Sequence, residues 1–425
     1  MRIFLILIFT LLVHSAHAAN AHFAFLKTVS ALELNAVLNE ERESFLKASP
    51  PDKSYARPKV SRARHDVDLY TVAYDAMVPE QGGRKVRASG LLALPKVSAG
   101  TPLSLMSYQH GTVFGKYEVP SYAFQKTNPS GHPHYDGAYE TRYMVALFAG
   151  QGMAVMAADY FGMGGDAQNN EAYFVKESAQ QANFDLYLDV QQFLQGKGLG
   201  PSRLFLGGWS LGGLNTTGFL QKLESEGVKV TAAFTASAPS DPFAALNGLM
   251  YYPREGVDAP WLNTILALSV FSFENYHNQP GLAQSVLNPS YYDVLQSVYT
   301  RSYGAPAKLL AMFQTLGIQP LLNYFRPEFK DPSHFANSKY GELLRRSQTY
   351  QQTFKAPLRM YYGSKDEAIK EPIGTLASDY QKILVGNPAE NGKSLVQARR
   401  VEAANHRATF ITAAPEALAW MRQIK

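Results

Sequence analysis

The chain has 425 residues, 46% of them hydrophobic and 18% charged, with 40 Lys and Arg against 35 Asp and Glu and a net charge of +5. This balance excludes a disordered chain, and no periodic bias marks a collagen or a coiled coil. Cysteine is absent, which excludes a disulfide framework, a thiol nucleophile and Cys-ligated zinc or iron–sulfur centres. The basic residues are scattered in pairs such as Arg345-Arg346 and Arg399-Arg400, an arrangement that argues against nucleic acid as a partner. At about 150 residues per domain the length suggests two to three domains, or one large α/β unit carrying insertions.

In chain order, Arg2 precedes an apolar run from Ile3 to Val13, which ends in Ser15-Ala16-His17-Ala18. A positive start, a short apolar core and a small-x-small ending read as a secretory signal, residues 1–18, cleaved after Ala18. The run is too short for a membrane span, which needs about 20 residues. An exported mature chain without a transmembrane anchor is expected, in the periplasm or beyond it.

Ser30 to Lys47 reads as an amphipathic helix, and Ala48 to Arg64 as an irregular, Pro-containing lead-in. Leu69 to Met77 and Val86 to Leu94, joined through Gln81-Gly82-Gly83, alternate like a hairpin at one sheet edge. Further strands are expected at Leu103 to Tyr108, Met153 to Ala158, Arg203 to Gly207, Val230 to Ala236, Leu358 to Tyr362 and Val396 to Glu402, with helical stretches from Thr141 and from Val175 to Gln195. Apolar strands separated by helix-length segments imply a largely parallel sheet covered on both faces.

One interval breaks the alternation. Nineteen of the 112 residues from Phe243 to Phe354 are Phe, Tyr or Trp, against 12% for the whole chain. A connection this long is not a plain loop, so it reads as an inserted helical cap. Its most apolar pieces are Leu262 to Phe273 and Leu309 to Phe325. The division expected is a core over 19–242, with a lead-in over 19–66, a cap over 243–355 and a second core part over 356–425.

The chemistry is concentrated in Arg203-Leu204-Phe205-Leu206-Gly207-Gly208-Trp209-Ser210-Leu211-Gly212-Gly213. Here Gly208-Trp209-Ser210-Leu211-Gly212 follows an apolar strand and opens a helix. A serine presented on a sharp strand-to-helix turn needs neighbours without side chains two residues before and after it. The helix N-terminus supplies free N–H groups for a developing oxyanion. An orienting acid and a base are required later in the chain. Asp366, in Gly363-Ser364-Lys365-Asp366-Glu367, follows a strand, with Glu367 as its neighbouring competitor; Asp293 and Asp331 fall within the cap. His406 is the one histidine after Asp366 and precedes a final helix. For the oxyanion hole, the amide of Leu211 is joined by one from Gln109-His110-Gly111-Thr112, with Thr112 the main donor and Gly111 the neighbouring choice. His110 reads as a strut for that loop.

The elbow GWSLGG, the QHGT loop, the ADYFGMG turn, Asp366 in GSKDE and His406 in AANH resemble the α/β-hydrolase superfamily, over roughly Leu69 to Ile424. Within it the similarity is to secreted lipases and esterases with a large insertion before the acid-bearing strand. The resemblance implies an α/β-hydrolase fold and a serine hydrolase acting on small-molecule or lipid carboxylic esters, with transient contact to a lipid interface. No cofactor or metal is called for. Such lipases are often disulfide-bonded, and this chain is not. A serine peptidase of the same fold, a hydrolase-like binding module and acyl transfer to an acceptor other than water remain alternatives.

Weaker patterns carry less. His132-Pro133-His134-Tyr135-Asp136 has the spacing of a metal site but reads as an ordinary loop. Gly162-x-Gly164-Gly165 does not match a dinucleotide fingerprint. Asn215-Thr216-Thr217 is a formal glycosylation sequon on the helix behind the serine.

Overall fold

The structure is a computed structural model and describes residues 21–98, 100–126, 138–303, 320–390 and 393–424. The leader 1–18, the His132 to Asp136 stretch and much of the apolar piece from Leu309 lie outside the described residues.

The first element is a strand that the sequence reading missed. β1 (His22–Val29) pairs antiparallel with β2 (Val67–Val78), which pairs antiparallel with β3 (Arg84–Pro95). The hairpin β2–β3 is thus not at the sheet edge, because β1 lies outside it. β1 escaped notice because it has little to bury: Phe25 is 58% exposed, and the strand is held mainly by its ladder and by Phe23 stacked on Phe193 at 4.0 Å.

α1 (Ala31–Ala48) starts at a capping box in which Ser30 accepts from the Glu33 amide and Glu33 accepts from the Ser30 amide. Its buried stripe, Leu34, Leu38, Glu41 and Phe45, follows the helical period. Each large apolar side chain so buried contributes roughly 2 kcal/mol. Within that stripe Glu41 is paired with Arg142, which satisfies an otherwise costly buried charge.

The remaining strands are β4 (Ser104–Gln109), β5 (Met153–Ala158), β6 (Arg203–Trp209), β7 (Ala232–Ala236), β8 (Leu358–Gly363) and the last strand, Val396–Val401. They give one nine-stranded sheet in the order β1-β2-β3-β5-β4-β6-β7-β8 and then Val396–Val401. β3 meets β5 antiparallel, and every pairing beyond it is parallel. Two buried clusters line the sheet's faces. One joins α1, α2 (Tyr139–Phe148) and the final helix His406–Met421. The other joins α3 (Lys176–Gly196) and α4 (Leu211–Ser225) with the insertion.

Between β7 and β8 the described residues are helical: α5 (Pro242–Tyr251), α6 (Asn263–Tyr276), α7 (Leu282–Val286), α8 (Tyr292–Thr300), then Pro332–Asn337 and Lys339–Arg346. Most of its aromatic surface packs onto the core: Phe271, Phe273, Tyr276, Tyr299 and Tyr340 are all at least 97% buried. Arg301, just after α8, forms a buried ion pair with Glu171 and donates to Val113 O at 3.3 Å, while the Tyr303 hydroxyl bonds Phe114 O. The insertion is thereby tied to the loop that follows β4. Among the described residues no helix is long and apolar enough to cross a membrane.

Candidate active site

β6 ends at Trp209 and α4 begins at Leu211, which leaves Ser210 alone between them at φ 57°, ψ −126°. A non-glycine residue adopts this state only under tertiary constraint. The constraint is visible: Ser210 N donates to Ala236 O at 2.9 Å, and Gly213 N donates to Ser210 O at 2.9 Å. The turn is tight because its flanks carry no side chains. A Cβ on Gly208 would lie 2.2 Å from Gly212 O, and one on Gly212 would lie 1.9 Å from Gln109 O. Leu211 N, in the first turn of α4, has no helical carbonyl behind it to bond.

Trp209 does more than fill the elbow. Its ring packs on Phe45 and Phe410 at 5.4 and 5.5 Å and lies 4.9 Å from the His406 ring. Its Nε1 donates to His406 O at 3.0 Å. The elbow and the histidine loop are therefore one packed unit, with α1 as a prop.

His406 opens the last helix, where Asn405 is the N-cap and accepts from Ala408 N. Its Nδ1 lies 3.1 and 3.2 Å from the two carboxylate oxygens of Asp366. Both side chains are almost fully buried. Asp366 Oδ1 also accepts from the amides of Ala368 and Ile369, each at 2.8 Å. Burial alone would push the imidazole pKa down, but the charge and hydrogen bond of Asp366 outweigh it and the net shift is upward. For Asp366 burial acts upward, and the imidazole and the backbone donors reverse it, so the carboxyl is held below its usual range. With Nδ1–H donating to Asp366, Nε2 carries the lone pair. That atom is buried and, among the described residues, has no hydrogen-bond partner.

The competing carboxylate has a different place. Glu367 Oε2 accepts from the His406 backbone amide at 2.9 Å, and its Oε1 accepts from Ser49 Oγ at 3.1 Å. Asn405 Nδ2 donates to Ser49 O at 2.9 Å. The lead-in, read from sequence as an irregular connection only, thus buttresses the histidine loop. Asp293 and Asp331 are exposed on the insertion; Asp331 caps the helix Pro332–Asn337.

Of the two amides weighed in the loop after β4, Gly111 is corrected by the structure: its N–H donates to Glu140 Oε1 at 2.6 Å and is not free for an oxyanion. The Thr112 hydroxyl meets Tyr173 OH at 2.7 Å. His110 is buried, stacks on Tyr160 at 4.2 Å and bonds Gly111 O through Nδ1 at 2.8 Å. Burial pushes its pKa down to about 4, so it is a neutral strut at physiological pH. Asp159, from the ADYFGMG turn, accepts from Ser121 N at 2.8 Å and from the hydroxyls of Ser121 and Ser89, which makes that turn a structural brace. The Asn215 sequon lies on a buried part of α4.

Ser210 stands at a narrow pocket whose walls come from both core and insertion. Leu246, Leu249, Leu262, Ile265 and Trp261 line it together with Ala368 and Ile369. The lining is almost wholly apolar, suited to a hydrocarbon chain.

The strand order, with its serine turn after the central β6, its acid after β8 and its histidine after the last strand, defines an α/β-hydrolase fold. No protein-family model matches the chain, and no curated protein sequence does. Solved structures match over nearly its whole length. A Legionella pneumophila protein with a provisional hydrolase assignment has 21% identity, covers 96% of this chain and 97% of its own, and superposes with a TM-score of 0.74. The rice cell wall degrading esterase LipA from Xanthomonas oryzae has 16% identity over 96% and 97%, with a TM-score of 0.71. Candida antarctica lipase A has 14% identity over 92% of this chain and 77% of its own, at 0.60. At these identities the likeness is one of fold.

Proposed function

We propose that this chain is an exported serine hydrolase that cleaves carboxylic esters through an acyl-enzyme. The observation that carries this reading is the buried His406 imidazole, oriented through Nδ1 by Asp366, in a loop packed on the elbow of a strained Ser210 beside an apolar pocket. The esterase LipA and Candida antarctica lipase A share the fold and support the ester class.

In this mechanism His406 Nε2 takes the Ser210 hydroxyl proton as Oγ attacks the ester carbonyl. Asp366 fixes the tautomer and stabilises the imidazolium. The amides of Leu211 and Thr112 receive the oxyanion. The tetrahedral intermediate expels the alcohol, which leaves with the proton from His406. Water, deprotonated by His406, then attacks the acyl-enzyme and releases the acid and Ser210.

The insertion's role follows from the pocket: its leucines, Ile265 and Trp261 form an acyl site. Each methylene taken from water is worth about 0.8 kcal/mol, so several of them favour octanoyl over acetyl esters by more than about tenfold. A kcat/KM series of p-nitrophenyl esters from acetate to palmitate tests both points. Turnover rising with chain length is the expected result. Absence of turnover overturns the ester reading, and a preference for acetate overturns the acyl site. The export reading rests on the leader alone; N-terminal sequencing of the exported protein is expected to begin at Ala19, and a retained leader contradicts it.

A further inference from the structure

A buried carboxylate that the mechanism above does not use lies directly behind the oxyanion loop. Glu140 is 3% exposed, in the first turn of α2, and among the described residues it has no ion-pair partner. Each of its oxygens takes one hydrogen bond: Oε1 from Gly111 N at 2.6 Å and Oε2 from Tyr108 OH at 2.8 Å. Gly111 itself is wedged. A Cβ there would lie 3.1 Å from Trp209 O and 3.4 Å from Glu140 Oε1, so the loop is pressed between the elbow and this carboxylate.

We infer that Glu140 is a positioning residue for the oxyanion hole, which draws the Gly111 N–H into the core and thereby turns the next amide, that of Thr112, toward Ser210. The Gly111 carbonyl is turned to His110 Nδ1 at 2.8 Å, and across a trans peptide the Thr112 N–H points the opposite way, so the amide gripped by Glu140 and the amide of Thr112 are set by adjoining contacts. An ionised carboxylate is the stronger acceptor for this purpose, because a charge-assisted hydrogen bond is roughly twice as strong as a neutral one. The α2 N-terminus favours that charge. The inference rests on the reading of Ser210 as nucleophile and of Thr112 as donor.

The surroundings make the carboxylate responsive to pH. Burial pushes it up to about 7, against the opposing bonds from Tyr108 and Gly111. The other titratable groups around it are Tyr108, Tyr160, His110, His406 and Arg407. The two tyrosines stay protonated, His110 stays neutral and Arg407 stays charged, which leaves Glu140 and His406, whose own shift is upward, as the groups that exchange a proton. As pH rises, Glu140 loses its proton and grips Gly111 more strongly, while His406 becomes a free base. Both changes raise activity, and the acid limb of kcat/KM then follows two deprotonations, with a slope approaching 2.

The test compares the native chain with Glu140→Gln and Tyr108→Phe on a soluble p-nitrophenyl ester from pH 5 to 9. Glu140→Gln keeps the shape but has no charge. The expected result is a loss in kcat on the order of tenfold to a hundredfold, KM within about twofold, and an acid limb reduced to a slope of 1. Tyr108→Phe removes one stabilising bond from the carboxylate, and the acid limb is expected to move to higher pH. A Glu140→Gln enzyme with native kcat and a native acid limb overturns the inference. Should that variant not fold, a Tyr108→Phe limb that stays in place overturns it equally. Native turnover with either of these outcomes leaves the ester-hydrolase reading intact; no turnover by the native chain defeats that reading first.

Discussion

Ser210→Ala is expected to lower kcat on p-nitrophenyl esters by roughly 10⁶-fold, as loss of a nucleophile does in serine hydrolases, and to leave the fold intact. The fold survives because the hydroxyl is not a structural group. Ser210 occupies the N-cap position of α4 but makes no side-chain cap bond, so alanine forfeits no helix-capping energy. Its left-handed φ of 57° is imposed by backbone bonds to Ala236 O and from Gly213 N, all of which alanine keeps. A fluorophosphonate probe should label the native protein at Ser210 and fail to label the variant, while the circular dichroism and Tm of the two agree. Turnover within tenfold of native would remove Ser210 from the role of nucleophile.

The second large effect is expected from Asp366→Asn. Asparagine fits the site, since its Oδ1 can still accept from Ala368 N and Ile369 N, the bonds now made at 2.8 Å. Its amide nitrogen, however, would donate to His406 Nδ1. The imidazole would then carry its proton on Nε2 and could not take one from Ser210. A loss of about 10⁴-fold in kcat follows, with binding little changed. The pH profile gives a second readout. The upward shift at His406 depends on the Asp366 charge, so the residual activity should have its acid limb at lower pH than the native enzyme. A loss smaller than tenfold would assign the orienting role elsewhere.

How far these residues were legible depends on the range of the signal. The elbow is a local pattern: Gly208 and Gly212 are glycines because backbone passes within 2.2 Å of where their side chains would be. The apolar run from Arg203 places that pattern at a strand end. Asp366 and His406 follow strands whose alternation and apolarity could be read, and chain order did the rest. Most strand ends shifted by one or two residues: β6 runs on to Trp209 because its ladder with β7 continues there, while β7 begins only at Ala232. Glu140, by contrast, carries no local signal. Its meaning comes from Gly111, 29 residues away and on another element. Ser49 reaches Asn405 across 356 residues, and no local pattern in an irregular lead-in could point there. β1 was missed for the opposite reason: a half-exposed edge strand needs no strong apolar alternation, and this one has little.

The ion pair between Arg301 and Glu171 bears on how the protein would respond to ionic strength. Its side chains are 6% and 3% exposed, so mobile counterions do not reach it, and dissolved salt weakens it far less than an open pair. Surface pairs such as Arg57 with Glu43, both more than half exposed, fade as salt rises. The seating of the insertion on the segment between β5 and α3 that carries Glu171 is therefore insulated from the medium, and brine and dilute buffer should find that segment held in the same place.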